Sequence, residues 1–154
     1  MIKGIIFDFD GVISQSITAK TNAFKEIYRP FGDDIVKKVV HHHESNGGIS
    51  RFDKFSYYHK SFLNKNVTKQ NISDLSDQFS KLVIDKVIDA PYVPGALEFI
   101  KESFKKFHLF ISTGTPEKEI KKIIKKKQID KYFMESFGSP SNKISHIEKI
   151  MKKY

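Results

Sequence analysis

Short apolar runs without helical period alternate along this chain with stretches in which apolar positions recur every three or four residues. Residues 2–9, Ile-Lys-Gly-Ile-Ile-Phe-Asp-Phe, form the first such run and predict a buried strand that stops at Asp8-Phe9-Asp10-Gly11. A second strand is predicted over 107–112, ending at Thr113-Gly114-Thr115-Pro116, and a weaker third over 134–137, ending at Gly138-Ser139-Pro140. Between them, 95–106 places Ala96, Phe99, Ile100 and Phe104 on roughly one helical face. The next helix is expected to start with Thr115 as its cap, Pro116 at its first position, and Glu117 and Glu119 in its first turn. Strands and helices in this alternation predict βαβ units, a parallel sheet and an α/β fold.

The stretch from 14 to 90 has a different texture. It lacks a strand pattern and carries amphipathic helical patterns over 21–28, 34–43, 52–63 and 72–88, interrupted by Arg29-Pro30-Phe31-Gly32 and Ser45-Asn46-Gly47-Gly48. The chain returns to the sheet through Pro91-Tyr92-Val93-Pro94-Gly95. The expected organisation is an α/β core of 1–13 and 91–154 with a helical domain, 14–90, inserted after the first strand. No internal repeat and no low-complexity linker interrupts it.

Composition narrows the function classes. The 154 residues are 39% apolar and 29% charged, the balance of a soluble globular protein. No run approaches the ~18 apolar residues of a membrane helix, so no membrane partner is expected. The N-terminal apolar stretch breaks at Asp8, too early for a signal peptide. The absence of cysteine excludes disulfides and thiolate metal sites and suits a reducing cytoplasm, the expected location. The net charge of +9 comes from 27 basic against 18 acidic residues. Only Arg29 and Arg51 are arginines, and the densest lysine run, 121–127, has its apolar residues at helical spacing. Base and phosphate recognition leans on the bidentate guanidinium, so no nucleic-acid partner is expected. A positive field of this kind would still draw in small phosphorylated anions.

The candidate chemistry sits at the strand ends, where parallel sheets bind their ligands. Asp8 and Asp10 place two carboxylates one residue apart, able to share a hard divalent cation such as Mg²⁺. Crowding splits their proton affinities, leaving one to attack and the other to hold a proton. Gly11 permits the sharp turn that brings backbone close to a ligand. Two solvated acids in a turn would be the plainer alternative. Thr113 and Gly114 at the second strand end offer a hydroxyl and backbone N–H groups as an anion cradle, or ordinary helix capping. Lys143, after the third strand, would neutralise a carboxylate and a phosphoryl group.

Asp8-Phe9-Asp10-Gly11, then Thr113-Gly114, then Lys143, with a helical insert after the first, resembles the haloacid dehalogenase-like superfamily over essentially the whole chain. More narrowly it resembles the branch with an α-helical cap, which includes phosphoglycolate phosphatases and β-phosphoglucomutases. The resemblance implies a Rossmann-like parallel core and assigns roles by position. Asp8 is then the nucleophile that forms an aspartyl-phosphate, and Asp10 the general acid that protonates the leaving oxygen and later activates water. Mg²⁺ is held by the Asp8 carboxylate and the Asp10 carbonyl. Thr113 and the Gly114 N–H hold phosphoryl oxygens, and Lys143 offsets charge around Asp8. Members that cleave carbon–halogen bonds lack the second acid, so Asp10 favours phosphoryl transfer to water.

Gly47-Gly48-Ile49-Ser50-Arg51-Phe52-Asp53-Lys54 resembles the specificity loop of the sugar-phosphate members. Ser50, Arg51 and Lys54 are the substrate-binding candidates from this segment, with Arg51 meeting a substrate anion and Lys54 or His43 assisting. A helix start capped by Ser50 with a solvated Arg51 is the alternative. In His41-His42-His43, neighbours on a helix point about 100° apart, so the three cannot share one metal. Instead His43 falls on the face of Val36, Val39 and Val40. Phe55, Tyr57 and Tyr58 read as insert core.

One family element has no counterpart here. A fourth strand ending in an acidic pair is expected to complete the Mg²⁺ shell, yet after Lys143 the only carboxylate is Glu148, on a predicted helix. The core is therefore expected to lack the C-terminal strands of the family, as a truncated chain would. The first strand would show an apolar edge open to self-association. The expected function is that of a cytoplasmic, Mg²⁺-dependent phosphatase acting on a small phosphorylated metabolite such as a sugar phosphate. The alternatives are a catalytically impaired chain that only binds an anion or a partner, and a β-phosphoglucomutase-like phosphomutase.

Overall fold

Among the described residues three parallel strands carry the fold: β1 (Gly4–Phe7), β2 (His108–Pro116) and β3 (Glu135–Ser139), in spatial order β1-β2-β3. The computed structural model describes residues 3–154; residue 2 of the expected first strand lies outside the described residues. Ile5 pairs with Leu109 and Phe7 with Ile111, so the apolar runs stand side by side. Their side chains alternate across the sheet. Ile5, Phe7, Leu109 and Ile111 join the main core, whereas Phe110 turns to the opposite face with Phe137 and Ile150.

After β1 the chain first forms α1 (Ile17–Tyr28), α2 (Asp33–Ser45), α3 (Arg51–Ser61) and α4 (Lys69–Asp89). Phe24, Tyr28, Phe55, Tyr58 and Phe79 are fully buried at their centre, with the Phe24 and Phe79 rings 4.6 Å apart. Tyr57 departs from the expected core role. It is 43% exposed and stacks on His42. A capping box formed by Thr68 and Asn71 starts α4.

The remaining helices flank the sheet: α5 (Ala96–Ser103), α6 (Glu117–Lys126) and α7 (Lys143–Lys153). Ile100 of α5 and Ile120 and Ile123 of α6 pack into the main core, and Ile150 of α7 covers the other face.

One boundary differs from the sequence expectation. Strand β2 runs on through Thr113-Gly114-Thr115-Pro116, and Pro116 itself precedes the first residue of α6. Thr115 therefore caps nothing. Its hydroxyl is held among polar groups at the strand end, where it gains stronger partners than an exposed helix terminus offers. Among the described residues no helix is long and apolar enough to cross a membrane.

Candidate active site

The parallel strands all end on one side, and the chain's polar candidates gather there. Asp8 follows β1 directly. Its Oδ1 accepts from the Phe9 N–H at 2.7 Å, and its Oδ2 accepts from the Lys143 ammonium at 2.6 Å. Lys143 reaches this carboxylate from the first turn of α7, whose start Asn142 fixes by accepting from the Ser145 N–H. Gly11 adopts a left-handed φ of +75°, where a Cβ would lie 2.5 Å from Ile17 Cδ1, so glycine suits this turn sterically and conformationally.

Asp10 lies in a denser network. Its Oδ1 accepts from Ser16 Oγ at 2.6 Å, and its Oδ2 accepts from Lys20 Nζ at 2.5 Å. The same ammonium donates to Thr115 Oγ1 at 2.7 Å, and Thr115 Oγ1 lies 3.4 Å from Asp10 Oδ2. Thr113 joins at one remove, its hydroxyl 3.4 Å from that of Thr115. Burial alone would raise the Asp10 carboxyl. The charge of Lys20 and the hydrogen bonds of Lys20, Ser16 and Thr115 hold it below the ordinary carboxylate value.

A cavity opens beside Asp10, lined by Lys20, Thr115, His43, Arg51 and Lys54. Asp8, Thr113 and Lys143 do not line it, yet the loop that roofs it passes close to that second group. A Cβ on Gly114 would lie 3.2 Å from the Gly48 carbonyl, and one on Gly48 would lie 3.6 Å from Lys143 Nζ. Gly114 thus allows loop 46–49 to sit directly on the strand end.

Within this loop and the helix after it, the candidates meet different partners. Ser50 caps α3, accepting from the Asp53 N–H at 3.2 Å and donating to Asp53 Oδ2 at 2.6 Å. Arg51 is buried, and its charge is already matched by a bidentate pair with Glu119, at 2.9 and 2.7 Å. Its Nη1 also donates to Ser80 Oγ at 2.8 Å, and the guanidinium lies 4.5 Å from the centre of the Phe79 ring. Lys54 is buried with its Nζ 2.9 Å from His43 Nδ1.

Lys20, Ser16, Thr115 and Glu119 were absent from the sequence candidates. Lys20 and Ser16 do sit one helical turn apart after the Asp-x-Asp turn, a spacing that points both at one acid. Nothing local marks Glu119 as the partner of Arg51.

For a divalent cation, the available donors are the Asp8 carboxylate and the Asp10 main-chain carbonyl, which accepts none of the loop and turn backbone hydrogen bonds. Among the described residues there is no group of three or more acidic or histidine side chains able to hold a metal. Two oxygen donors suit a cation that keeps several waters and takes further oxygens from a substrate phosphate, as Mg²⁺ does.

Comparison with known proteins supports the same lineage. A phosphorylated carbohydrates phosphatase of Thermotoga maritima is 25% identical over 136 residues, covering 86% of this chain. The chain spans 59% of the length of that curated relative. Among solved structures, a haloacid dehalogenase-like hydrolase from Streptococcus pneumoniae superposes with a TM-score of 0.68 at 20% identity, over 98% of this chain and 69% of its own. A β-phosphoglucomutase from Clostridium difficile gives a TM-score of 0.73 at 20% identity, over 93% of this chain and 64% of its own. These two likenesses establish the fold. The family model described as haloacid dehalogenase-like hydrolase matches residues 5–153, and the chain belongs to that family.

Proposed function

We propose that this chain is a cytoplasmic, Mg²⁺-dependent phosphatase that hydrolyses a small phosphorylated metabolite, a sugar phosphate being the leading class. Residues 1–13 and 91–154 form its catalytic core, and 14–90 its cap. The observation that carries this reading is the contact of Lys143 Nζ with Asp8 Oδ2 at 2.6 Å, at the carboxyl end of β1. An ammonium in contact with a carboxylate offsets its charge as it approaches a phosphorus that itself carries negative charge.

In this reading Asp8 attacks the phosphoryl group and becomes an aspartyl-phosphate as the leaving oxygen departs. Thr113 and the Gly114 N–H receive phosphoryl oxygens, and Gly11 lets the backbone come close to them. Asp10, ionised beside Lys20 in the free site, takes up a proton brought by the arriving phosphate ester and passes it to the leaving oxygen. It later takes one from the water that attacks the aspartyl-phosphate and frees inorganic phosphate. Lys20, in contact with Asp10, orients its carboxylate and offsets its charge. Arg51 and Lys54 line the substrate side of the cavity from the cap, and Ser50 caps the helix that carries them. Mg²⁺, held by Asp8 and the Asp10 carbonyl, would neutralise charge on the phosphoryl oxygens.

Hydrolysis of p-nitrophenyl phosphate with Mg²⁺, by the wild type and by Asp8→Asn, tests the reading. Turnover that vanishes in Asp8→Asn supports it, and turnover that survives removes Asp8 as nucleophile. Phosphomutase chemistry shares the first half of this mechanism, and a panel of sugar phosphates would separate it by product.

The small metal-donor set favours a second reading, an impaired chain that only binds an anion or a partner. Folded wild type without turnover would select it. We also propose self-association at the unpaired edge of β1, where Ile6 is 39% exposed. Sedimentation of a monomer at high concentration would exclude that.

A further inference from the structure

Arg51, the residue whose charge made it the obvious anion reader, is occupied. Glu119 holds its guanidinium on two oxygens, and Ser80 takes a further donor. Lys54 lines the same cavity and, among the described residues, has no carboxylate as hydrogen-bond or salt-bridge partner, although it is only 2% exposed. Its ammonium touches His43 Nδ1 at 2.9 Å and the His43 carbonyl at 3.5 Å, which leaves one of three protons unplaced. A buried cation without an anion is costly and marks a place where a ligand can supply one.

His43 has a matching vacancy. An ammonium has only protons to offer, so Nδ1 accepts and the proton of the neutral imidazole resides on Nε2. That Nε2 is buried and has no hydrogen-bond partner among the described residues. The ring is only 7% exposed and lines the cavity, against Phe24 at 4.7 Å between ring centres. Both unsatisfied groups are therefore donors. A neutral hydroxyl could accept from them, but a negative oxygen would also match the charge of Lys54. Burial keeps His43 neutral, its value pushed down to about 3, which preserves this tautomer across the working range.

We propose that Lys54 and His43, not Arg51, read the substrate from the cap, by binding a second negative group, carboxylate or phosphate, that the substrate carries beyond its transferred phosphoryl group. This rests on the phosphatase reading of the Asp8 end of the site. Arg51 is then a positioning residue that ties α3 to Glu119 of α6.

Calorimetric binding in Mg²⁺ buffer tests it with three probes: methylphosphonate, phosphonoacetate and methylenebisphosphonate. The wild type should bind at least one two-headed probe about tenfold more tightly than methylphosphonate, the order of one charge-assisted hydrogen bond. The probe that shows the gain identifies the second group as carboxylate or phosphate. Lys54→Met should lose the gain and keep its methylphosphonate affinity. Lys54→Gln, which retains a donor toward His43, should lose it too and guards against a packing defect. Equal binding of all three probes by the wild type, or a gain that survives both substitutions, overturns the proposal and leaves the phosphoryl site standing. Failure of every probe to bind the wild type overturns both.

Discussion

The Lys143 ammonium donates to Asp8 Oδ2 at 2.6 Å across 135 positions of chain. Both side chains are partly open to solvent, so the pair adds little to stability and its value lies in holding charge at one place. Lys143→Met should therefore unfold at nearly the wild-type temperature while turnover of p-nitrophenyl phosphate falls by about two orders of magnitude, as for loss of one electrostatic stabiliser. Melting curves and kcat measured on the same preparation check both halves.

Lys20 and Asp10 form the opposite case, a pair largely withdrawn from water. Removing one partner strands the other charge, so Lys20→Met should cost about 3 kcal/mol at neutral pH. In the wild type the Asp10 carboxyl is held below its ordinary 3.8. The stability it contributes is complete above that value and is lost as pH falls through the lower, folded one. In Lys20→Met that contribution is already gone, so the gap between the two proteins should close at acid pH. Urea unfolding at neutral pH and at about pH 3, below the ordinary carboxylate value, reads this.

Arg51 and Glu119 link α3 to α6. Glu119→Ala leaves a buried guanidinium without its counter-charge and should destabilise by about 3–5 kcal/mol. The double variant Arg51→Met, Glu119→Leu should recover most of that loss. A double-mutant cycle by chemical denaturation measures the coupling.

Lys54 gives a signature of reversed sign. Burial lowers its ammonium from 10.5 to about 8, so the folded protein binds that proton less tightly than the unfolded chain. The cost is full below about 8 and disappears as pH rises toward 10.5. Lys54→Met should thus be more stable than wild type at neutral pH, by on the order of 2 kcal/mol, with the advantage fading in alkali. Equal stabilities across that range would show that Lys54 carries no burial cost.

Two glycines separate a fold requirement from a site requirement. At Gly138 a Cβ would lie 2.7 Å from the Glu117 backbone nitrogen, where nothing flexible can yield. Gly138→Ala should cost about 3 kcal/mol or more. At Gly114 the obstruction is loop 46–49, with the Gly48 carbonyl at 3.2 Å, which a small shift relieves. Gly114→Ala should keep the fold and raise KM. Paired melting and steady-state kinetics distinguish them.

The two sequence periods were enough for the architecture. Apolar runs without helical period marked β1, β2 and β3, and three- and four-residue spacings marked the helices, because burial on one face or two leaves its imprint on neighbouring positions. Asp8 and Asp10 were legible for a similar reason: two acids directly after an apolar strand are a local signal. Thr115 reads locally as a cap because capping is the local use of a threonine before a proline, and nothing nearby reveals that β2 continues past it.

Lysines account for 25 of the 27 basic residues, since only two are arginine, and on paper Lys20, Lys54 and Lys143 look like all the others. What separates them is the partner each finds: Thr115 is 95 positions from Lys20, and Glu119 is 68 from Arg51. Periodicity records which side of an element faces the core. It holds no record of which distant side chain waits there, and burial and pairing, the two quantities that set a charge's chemistry, exist only once the chain has closed on itself.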